Sequence, residues 1–224
     1  TKALRALRPP HQAAEWSALQ RRKGLRIGFV PTMGALHEGH IALVKAARAE
    51  CDAVAVSIFV NPLQFNDNED FARYPRHPED DQRLLQEAGC DVVFMPEAEE
   101  LFRDFAPAHY ELGGLDLLLE GASRPGHFQG VVNVVERLFH YMRPDTVFFG
   151  EKDRQQLVII RHVTDRLNWP VRIRSHQTVR ADDGLALSSR NQRLSPEQRQ
   201  EAATLNRALQ AMAAQAFARP VAAA

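Results

Sequence analysis

One stretch decides the fold: Gly28-Phe29-Val30-Pro31-Thr32-Met33-Gly34-Ala35-Leu36-His37-Glu38-Gly39-His40. The apolar run 25–30 predicts a buried strand, which ends at Pro31 before a turn that contains two glycines. An apolar-periodic helix follows from residue 40. The first turn of a helix has backbone N–H groups without partners and carries the positive end of the helix dipole, so this order predicts an anion site. His37 and His40 add side-chain hydrogen-bond donors, and we therefore predict a phosphate chain as the ligand.

Three better-known motifs do not fit this stretch. Gly34 and Gly39 are spaced as in a Walker A loop, but His40 and Ile41 stand where that loop needs Lys and then Ser or Thr. The dinucleotide fingerprint G-x-G-x-x-G is absent from the turn, and the histidines are too close together for the zinc motif H-E-x-x-H. The alternative without function is a strand, turn and helix that carry two incidental surface histidines. The pattern itself resembles the H-x-G-H signature of adenylate-forming and nucleotidyl-transferring enzymes with a Rossmann-like fold.

Four further blocks follow in chain order, each at the end of a predicted strand or the start of a predicted helix. Their sequences are FVNPLQF at 59–65, RPGHFQGV at 124–131, GEKD at 150–153 and GLALSSRN at 184–191. Together with the first stretch they resemble the pantothenate synthetase (pantoate–β-alanine ligase) family, from about residue 27 to residue 194. A single block is weak evidence, whereas five blocks in the same order are specific.

Composition sets wider limits on the chain. It has 224 residues, 45% hydrophobic content and a formal net charge of +0, so nucleic-acid binding has no electrostatic support. Cys51 and Cys90 lack metal-ligand spacing and are predicted to be buried thiols in a reducing compartment. No apolar run approaches the ~18 residues of a membrane span, and no signal-peptide pattern is present. We therefore expect a cytoplasmic protein that binds neither nucleic acid nor membrane.

Strand-like and helix-like runs alternate along the chain. This alternation predicts an α/β fold, a Rossmann-like doubly wound parallel sheet with ligands at the carboxyl ends of its strands. The polar segment 66–78 is predicted to be a long loop. The predicted strands are 25–30, 53–60, 91–95, 146–149 and 171–174, and the predicted helices are 40–50, 78–88, 130–142 and 153–167.

The sequence divides into two predicted parts. Residues 1–180 form a Rossmann-like domain for ATP and pantoate, and residues 181–224 form a phosphate-binding loop and a long helix. That helix begins at Ser195-Pro196-Glu197-Gln198, a capping pattern, and extends to about residue 218. In the family a smaller C-terminal lid domain follows at this point. The resemblance therefore implies that most of this domain is truncated here.

The resemblance implies an ATP-dependent acid–amino-acid ligase. In this reaction pantoate attacks the α-phosphorus of ATP to give a pantoyl adenylate and pyrophosphate, and β-alanine then displaces AMP to give pantothenate. The implied cosubstrate and ion are ATP and Mg²⁺, and the implied assembly is a homodimer. No covalent nucleophile is needed, so catalysis must come from positioning and from stabilising charge on the phosphates.

The resemblance also implies roles for individual residues, transferred position by position. The catalytic set is His37, His40, Lys152 and Arg190, with His40 at the position usually assigned as proton donor. Pantoate and β-alanine are expected to contact Asn61, Gln64, Arg124 and Gln156, and no metal ligand is assigned. The expected ATP contacts are Met33, Gly34, Ala35, Leu36, His37, Glu38, Gly39, His40, Gly150, Glu151, Lys152, Asp153, Val179, Leu187, Ser188, Ser189 and Arg190. The family usually has Met where this chain has Leu187, a swap of similar volume.

Weaker candidates have both a functional and a structural interpretation. Asn61 and Tyr74 shape the pocket or are only structural. Arg124 and His127 orient the loop beneath the substrate, either in direct contact with it or by packing behind it. Asp80 and Asp81 approach a metal-bound phosphate or simply form the acidic first turn of a helix. The remaining histidines considered, His140, His162 and His176, have no motif context and are predicted to lie in the surface or the core.

Two other functions stay open at this point. One is a nucleotidyltransferase that shares the H-x-G-H core but acts on another small acid or on a phosphate acceptor. Gln64 and Gln156 argue against a phosphate acceptor, which would favour Arg or Lys in the pocket. The other is a nucleotide-binding module that lacks its lid and does not turn over.

Overall fold

The computed structural model describes residues 3–218 of the chain. Within them six strands form one sheet, in the order β1-β4-β3-β2-β5-β6, and every neighbouring pair is parallel. The predicted parallel α/β sheet is therefore confirmed. The strands are β1 (Arg5–Leu7), β2 (Ile27–Thr32), β3 (Ala53–Ile58), β4 (Val92–Phe94), β5 (Thr146–Gly150) and β6 (Arg172–His176).

Helices connect these strands and cover both faces of the sheet. Short 3₁₀ helices cover Pro62–Gln64, Leu115–Leu117, Glu151–Asp153 and Ser189–Arg193. The α-helices are α1 (Pro10–Arg22), α2 (Glu38–Glu50), α3 (Asn68–Arg73), α4 (Pro78–Glu87), α5 (Ala98–Leu101), α6 (Leu119–Ser123), α7 (His127–Met142), α8 (Arg154–Arg166) and α9 (Pro196–Ala218). No helix within residues 3–218 combines the length and the apolar character that a membrane span requires.

Alternate residues of the central strands supply two separate cores. Phe29 and Val147 belong to a cluster that includes buried residues of α1, α7 and α8. Their chain neighbours Val30 and Phe148 belong to a second cluster with buried residues of α2 and α4. Successive side chains of a strand point to opposite faces, so continuous apolar runs are what a sheet buried on both faces requires. The fold is doubly wound, as predicted.

The direction in which the chain winds reverses between β2 and β5. After β2 the chain adds β3 and β4 on one side, and it then crosses back to add β5 and β6 on the other side. Ligands of open α/β sheets bind beyond the carboxyl ends of the strands at such a switch point. The blocks 33–40 and 150–153 begin where β2 and β5 end, and the fold therefore brings them together.

The predicted loop 66–78 is wrong in part, because it contains α3. The Asp67 side chain caps this helix by accepting a hydrogen bond from Glu69 N at 2.8 Å, and two carboxylates in the first turn match the helix dipole. Neither β1 nor α1 is among the predicted elements. β1 has three residues, only one of them buried, and so has no periodic pattern to detect.

The C-terminal helix begins as predicted. Ser195 Oγ accepts a hydrogen bond from Gln198 N at 3.2 Å, and Gln198 Oε1 accepts one from Ser195 N at 2.9 Å, which is a reciprocal capping box. The division at residues 180 and 181 stays a prediction, and its ranges include residues 1, 2 and 219–224, which lie outside the described part. Cys51 and Cys90 are buried free thiols, as predicted.

Candidate active site

A buried carboxylate on α4 holds the turn between β2 and α2. Asp81 on α4 is 2% exposed and accepts hydrogen bonds from Ala35 N at 2.9 Å and Leu36 N at 2.7 Å. Ala35 needs this support because its φ of 49° lies in the left-handed region, which disfavours residues with a Cβ. On the other side Ser189 Oγ donates to Ala35 O at 3.0 Å. The turn that leads into the histidines is thus fixed through both its N–H and its C=O groups.

The two histidines form the N-terminal cap and first turn of α2. His37 Nδ1 accepts a hydrogen bond from Gly39 N at 3.1 Å, and His40 Nδ1 accepts one from His37 N at 3.2 Å. Their rings lie 4.1 Å apart between centroids. Gly39 is needed here, because a Cβ at this position would lie 2.8 Å from His37 Cε1. Since each Nδ1 is an acceptor, each neutral ring carries its proton on Nε2 and can donate from there.

The pKa values of both histidines are lowered. Burial, followed by the charge of Lys152, lowers the pKa of His37 to about 4, although Asp153 opposes this shift. Burial, followed by His37 and Lys152, lowers the pKa of His40 to about 3. Both rings are therefore neutral at neutral pH without ligand. The negative charge of a bound phosphate chain would favour their protonated forms.

Lys152 and Asp153 stand at the end of β5, next to the histidines in the fold. Lys152 Nζ donates to Asp153 Oδ1 at 2.8 Å, and both side chains are partly exposed at the cavity. Glu151 has a different place, since its carboxylate accepts a hydrogen bond from Ser175 Oγ at 3.0 Å and so ties β5 to β6. Lys152 and Asp153, both predicted ATP contacts, thus form an ion pair in the site.

Gln64 is placed by a set of contacts to its main chain and side chain. Asn61, 1% exposed, donates from Nδ2 to Gln64 Oε1 at 3.0 Å and to Gly130 O at 3.1 Å. Gln64 O accepts from His127 Nδ1 at 2.8 Å and from Arg124 Nη2 at 3.3 Å. α7 can approach this closely because Gly130 has no Cβ, which would lie 2.2 Å from the backbone oxygen of residue 63. These contacts favour a positioning role for Asn61.

Arg124 and His127 are themselves part of this network. Arg124 Nη1 donates to Glu120 Oε1 at 2.6 Å and lies 3.3 Å from His127 Nε2. Burial lowers the pKa of His127, so its ring is neutral, with Nδ1–H as donor to Gln64 O and Nε2 as acceptor. Gln156 on α8 lines the same cavity, and its amide has no hydrogen-bond partner within residues 3–218. Gln156 is thus open to a ligand, whereas the Gln64 amide is already in contact with Asn61.

One cavity of about 250 Å³ joins most of the predicted site residues. It opens beyond β2 and β5, and the segment 187–190 forms part of its wall. The predicted residues that line it are Met33, His37, Gly39, His40, Asn61, Gln64, Arg124, Gly150, Lys152, Asp153, Gln156, Val179, Leu187, Ser188, Ser189 and Arg190.

Comparison with known proteins decides the family. The family model of pantoate-beta-alanine ligase matches residues 5–224. This chain belongs to the pantoate-beta-alanine ligase family. As a member of this family it is a ligase, as the resemblance implied. The pantothenate synthetase of Heliobacterium modesticaldum is 52% identical over 206 residues, which are 92% of this chain and 73% of that relative. The Thermus thermophilus enzyme is 53% identical over 92% of this chain and 74% of its own length.

Solved structures of the ligase family share the fold of this chain. The pantothenate synthetase of Thermus thermophilus gives a TM-score of 0.87 at 51% identity, over 93% of this chain and 74% of that one. The pantoate-beta-alanine ligase of Francisella tularensis gives 0.85 at 37% identity, over 93% of this chain and 80% of that one. That Francisella protein was solved in complex with beta-gamma ATP and beta-alanine.

The structure of this ligase does not bring every predicted ATP contact to the cavity wall. Ala35 and Leu36 are buried with their amides on Asp81, which favours a structural role, and Glu38 points to solvent. The predicted contacts that do not line the cavity are Gly34, Ala35, Leu36, Glu38 and Glu151. The ATP and substrate contacts of the other residues stay predictions.

Sequence reasoning missed or undervalued several residues of the site. Asp81 is neither exposed nor free to approach a phosphate, since each of its oxygens holds a backbone N–H; Asp80 beside it is exposed and pairs with Arg83 at 3.4 Å. His176, for which the sequence offered no motif, is half-buried and lines the cavity at the end of β6. The rule that sites lie at carboxyl strand ends would have found it. His140 is exposed and His162 is half-buried, both away from the cavity.

Proposed function

We propose that this chain joins pantoate to β-alanine at the expense of MgATP, through a pantoyl-adenylate intermediate. Membership in the pantoate-beta-alanine ligase family supports this proposal, as does the Francisella tularensis relative solved with beta-gamma ATP and beta-alanine. The observation that carries the mechanism is the pair of neutral imidazoles at the N-terminus of α2, beside Lys152. This arrangement suits a phosphate chain whose charge increases as pyrophosphate leaves.

In the first step a carboxylate oxygen of pantoate attacks the α-phosphorus of ATP, and the bond between that phosphorus and the bridging oxygen to the β-phosphate breaks. The electron pair leaves with pyrophosphate. His37 and His40 donate hydrogen bonds from Nε2 to phosphate oxygens, and the growing negative charge raises their tendency to hold a proton. His40 is the proposed proton donor. Lys152 and Arg190 supply the permanent positive charges near these oxygens.

In the second step the free amine of β-alanine attacks the acyl carbon of the adenylate. The bond from that carbon to the AMP oxygen breaks, AMP leaves with the electron pair, and the nitrogen loses one proton. Gln64 and Gln156 are the proposed contacts for pantoate, since amides can both donate to a carboxylate and accept from hydroxyls. We propose that the positively charged guanidinium of Arg124 contacts the substrate. Its hydrogen bonds to Glu120 Oε1 and Gln64 O fix its position.

Magnesium enters this proposal with the nucleotide. Among the described residues no group of three or more His, Cys, Asp or Glu side chains is arranged to hold a metal ion. Magnesium in nucleotide sites usually keeps several waters and binds phosphate oxygens with only one or two protein carboxylates. We therefore treat it as part of the substrate MgATP. The predicted homodimer, the cytoplasmic location and the absence of nucleic-acid partners stay predictions.

Pantoate-dependent exchange of labelled pyrophosphate into ATP tests the first step. We expect exchange only when pantoate is present, followed by release of AMP and formation of pantothenate once β-alanine is added. Replacing pantoate by a small acid without hydroxyl groups is the matched control and should abolish exchange. ATP binding without exchange would contradict the proposed reaction and favour a nucleotide-binding module.

A further inference from the structure

The guanidinium of Arg190 is held at the cavity by two groups of the segment 66–78. Asp70 on α3 accepts a hydrogen bond to Oδ2 from Arg190 Nη2 at 2.7 Å. The ring of Tyr74, which is 6% exposed, lies 5.4 Å from the Arg190 guanidinium carbon. Asp70 and Arg190 are 120 positions apart in the chain. The fold therefore places a carboxylate on a cation that the proposed function assigns to the ATP phosphates.

Only one nitrogen of the guanidinium is used in this contact. Arg190 Nη2 donates to Asp70, while its Nε and Nη1 have no hydrogen-bond partner within residues 3–218. A guanidinium has five N–H groups in a rigid plane, so one can be fixed while the others stay available. The Arg190 side chain is 42% exposed, and the residue lines the cavity. This geometry tethers the cation without covering it.

Asp70 is itself anchored from the opposite side. Its Oδ1 accepts a hydrogen bond from Arg193 Nη1 at 3.0 Å, and Arg193 Nη2 donates to Arg73 O at 2.6 Å. Arg190, with a smaller contribution from Arg193, holds the pKa of the Asp70 carboxyl below its usual value. The carboxylate is therefore ionised at neutral pH. Arg193 links it to the backbone oxygen of Arg73 at the C-terminal end of α3. An acceptor fixed in this way limits the positions that a long, flexible arginine can adopt.

We propose that Asp70 is a positioning residue, whose carboxylate fixes the Arg190 guanidinium at the cavity wall so that its remaining N–H groups meet the phosphates of ATP. This inference rests on the proposed role of Arg190 in ATP binding. It gives the segment 66–78 a function in adenylation, through α3, without contact between Asp70 and the nucleotide.

Asp70→Asn tests this role, because it keeps the shape of the side chain and removes its charge. We expect the kcat of pantoate-dependent ATP–pyrophosphate exchange to fall roughly 10-fold, since small errors in position are costly in catalysis. Binding of α,β-methylene-ATP should weaken by roughly 5-fold, because the charge-assisted contact that orders Arg190 is lost. The KM for pantoate should not change. Glu69→Gln is the matched control: it removes the neighbouring carboxylate of α3, which pairs with Arg73 and not with Arg190, and should stay near wild type.

A double-mutant cycle separates positioning from a merely structural effect. If Asp70 acts through Arg190, adding Asp70→Asn to Arg190→Ala causes no further loss in exchange or in analogue binding. A full tenfold loss in the Arg190→Ala background would overturn the proposal. Tighter analogue binding by Asp70→Asn would also overturn it, because the carboxylate would then mask the cation. Unfolding midpoints check that every variant is folded, and Asp70→Ser provides a second neutral variant.

The failure of the proposed function is a separate outcome. A wild-type chain without pyrophosphate exchange would contradict the ligase reaction, whereas the binding cycle with α,β-methylene-ATP would still measure the coupling between Asp70 and Arg190. Absence of coupling in that binding cycle would overturn the positioning role, whatever reaction the chain performs.

Discussion

Replacing Gly130 by alanine tests how closely α7 must approach the proposed pantoate pocket. A Cβ at this position would lie 2.2 Å from Leu63 O, 2.5 Å from Leu63 C and 2.8 Å from Gln64 N, whereas ordinary contacts begin at 3.4 Å. All three atoms are backbone, so no side-chain rotation can relieve the overlap. The 3₁₀ helix Pro62–Gln64 and α7 must therefore separate by about 1 Å. A catalytic or substrate contact that is misplaced by this distance can lower the rate by about 10²-fold.

Two measurements follow from this overlap. We expect kcat/KM for pantoate in the exchange assay to fall about 10²-fold, while binding of α,β-methylene-ATP changes little, since Gln64 moves and the histidines do not. Alanine gains about 1 kcal/mol of helix propensity over glycine, whereas overpacking costs about 1–3 kcal/mol, so the free energy of unfolding should fall by about 0–2 kcal/mol. His140→Ala, at an exposed position of the same helix, is the control. A wild-type kcat/KM for pantoate in Gly130→Ala would refute this reasoning.

Three further predictions concern the turn between β2 and α2. His40→Ala should lower the exchange rate by roughly 10²-fold or more, the scale for losing one charge-stabilising donor, and a near-wild-type rate would contradict its catalytic role. Asp81→Asn places a side-chain N–H against a backbone N–H, because each Asp81 oxygen now accepts from one. The free energy of unfolding in urea should therefore fall by about 1–3 kcal/mol. The neighbouring Asp80→Asn is the control and should not show this loss. The third prediction concerns pH. Folded His37 and His40 have pKa values of about 4 and about 3, below the ~6.5 of an unfolded histidine, so the unfolded chain binds more protons in this range. The free energy of unfolding should therefore fall as the pH drops from about 6.5 toward 4. His40→Gln should flatten this dependence in urea titrations, and an unchanged dependence would show that His40 does not cause it.

The sequence predicts those parts of the fold whose signal is local. The strands around Phe29 and Val147 are short apolar runs that end near Pro31 and Gly150, and the helices that follow them, α2 and α8, each bury apolar side chains on one face. The site was predictable for the same reason, because its histidines and Lys152 directly follow strands. In an open α/β sheet this position alone brings them to a common crevice.

The remaining features depend on contacts between distant parts of the chain. Asp81 has the sequence context of an ordinary acidic first turn, and only the fold shows that its partners lie 45 and 46 positions away. Asp70 and Arg190 are separated by a still longer stretch, and His176 follows a strand without any motif. Helical and strand periodicity describe one element at a time. They contain no information on which side chain of another element will face it.

The cavity shows a common electrostatic design. Among the described residues, each of the three permanent cations that line it has a carboxylate partner within hydrogen-bond distance; the pairs are Lys152–Asp153 at 2.8 Å, Arg190–Asp70 at 2.7 Å and Arg124–Glu120 at 2.6 Å. Because His37 and His40 are neutral, they and the three ion pairs give the cavity no excess of uncompensated positive charge. The attraction for ATP must then come from oriented donors: the N-terminus of α2, the Nε2–H groups and the N–H groups that the carboxylates leave available. Such a site is ordered before the substrate arrives, so phosphate charge can be stabilised without the cations first having to find their positions.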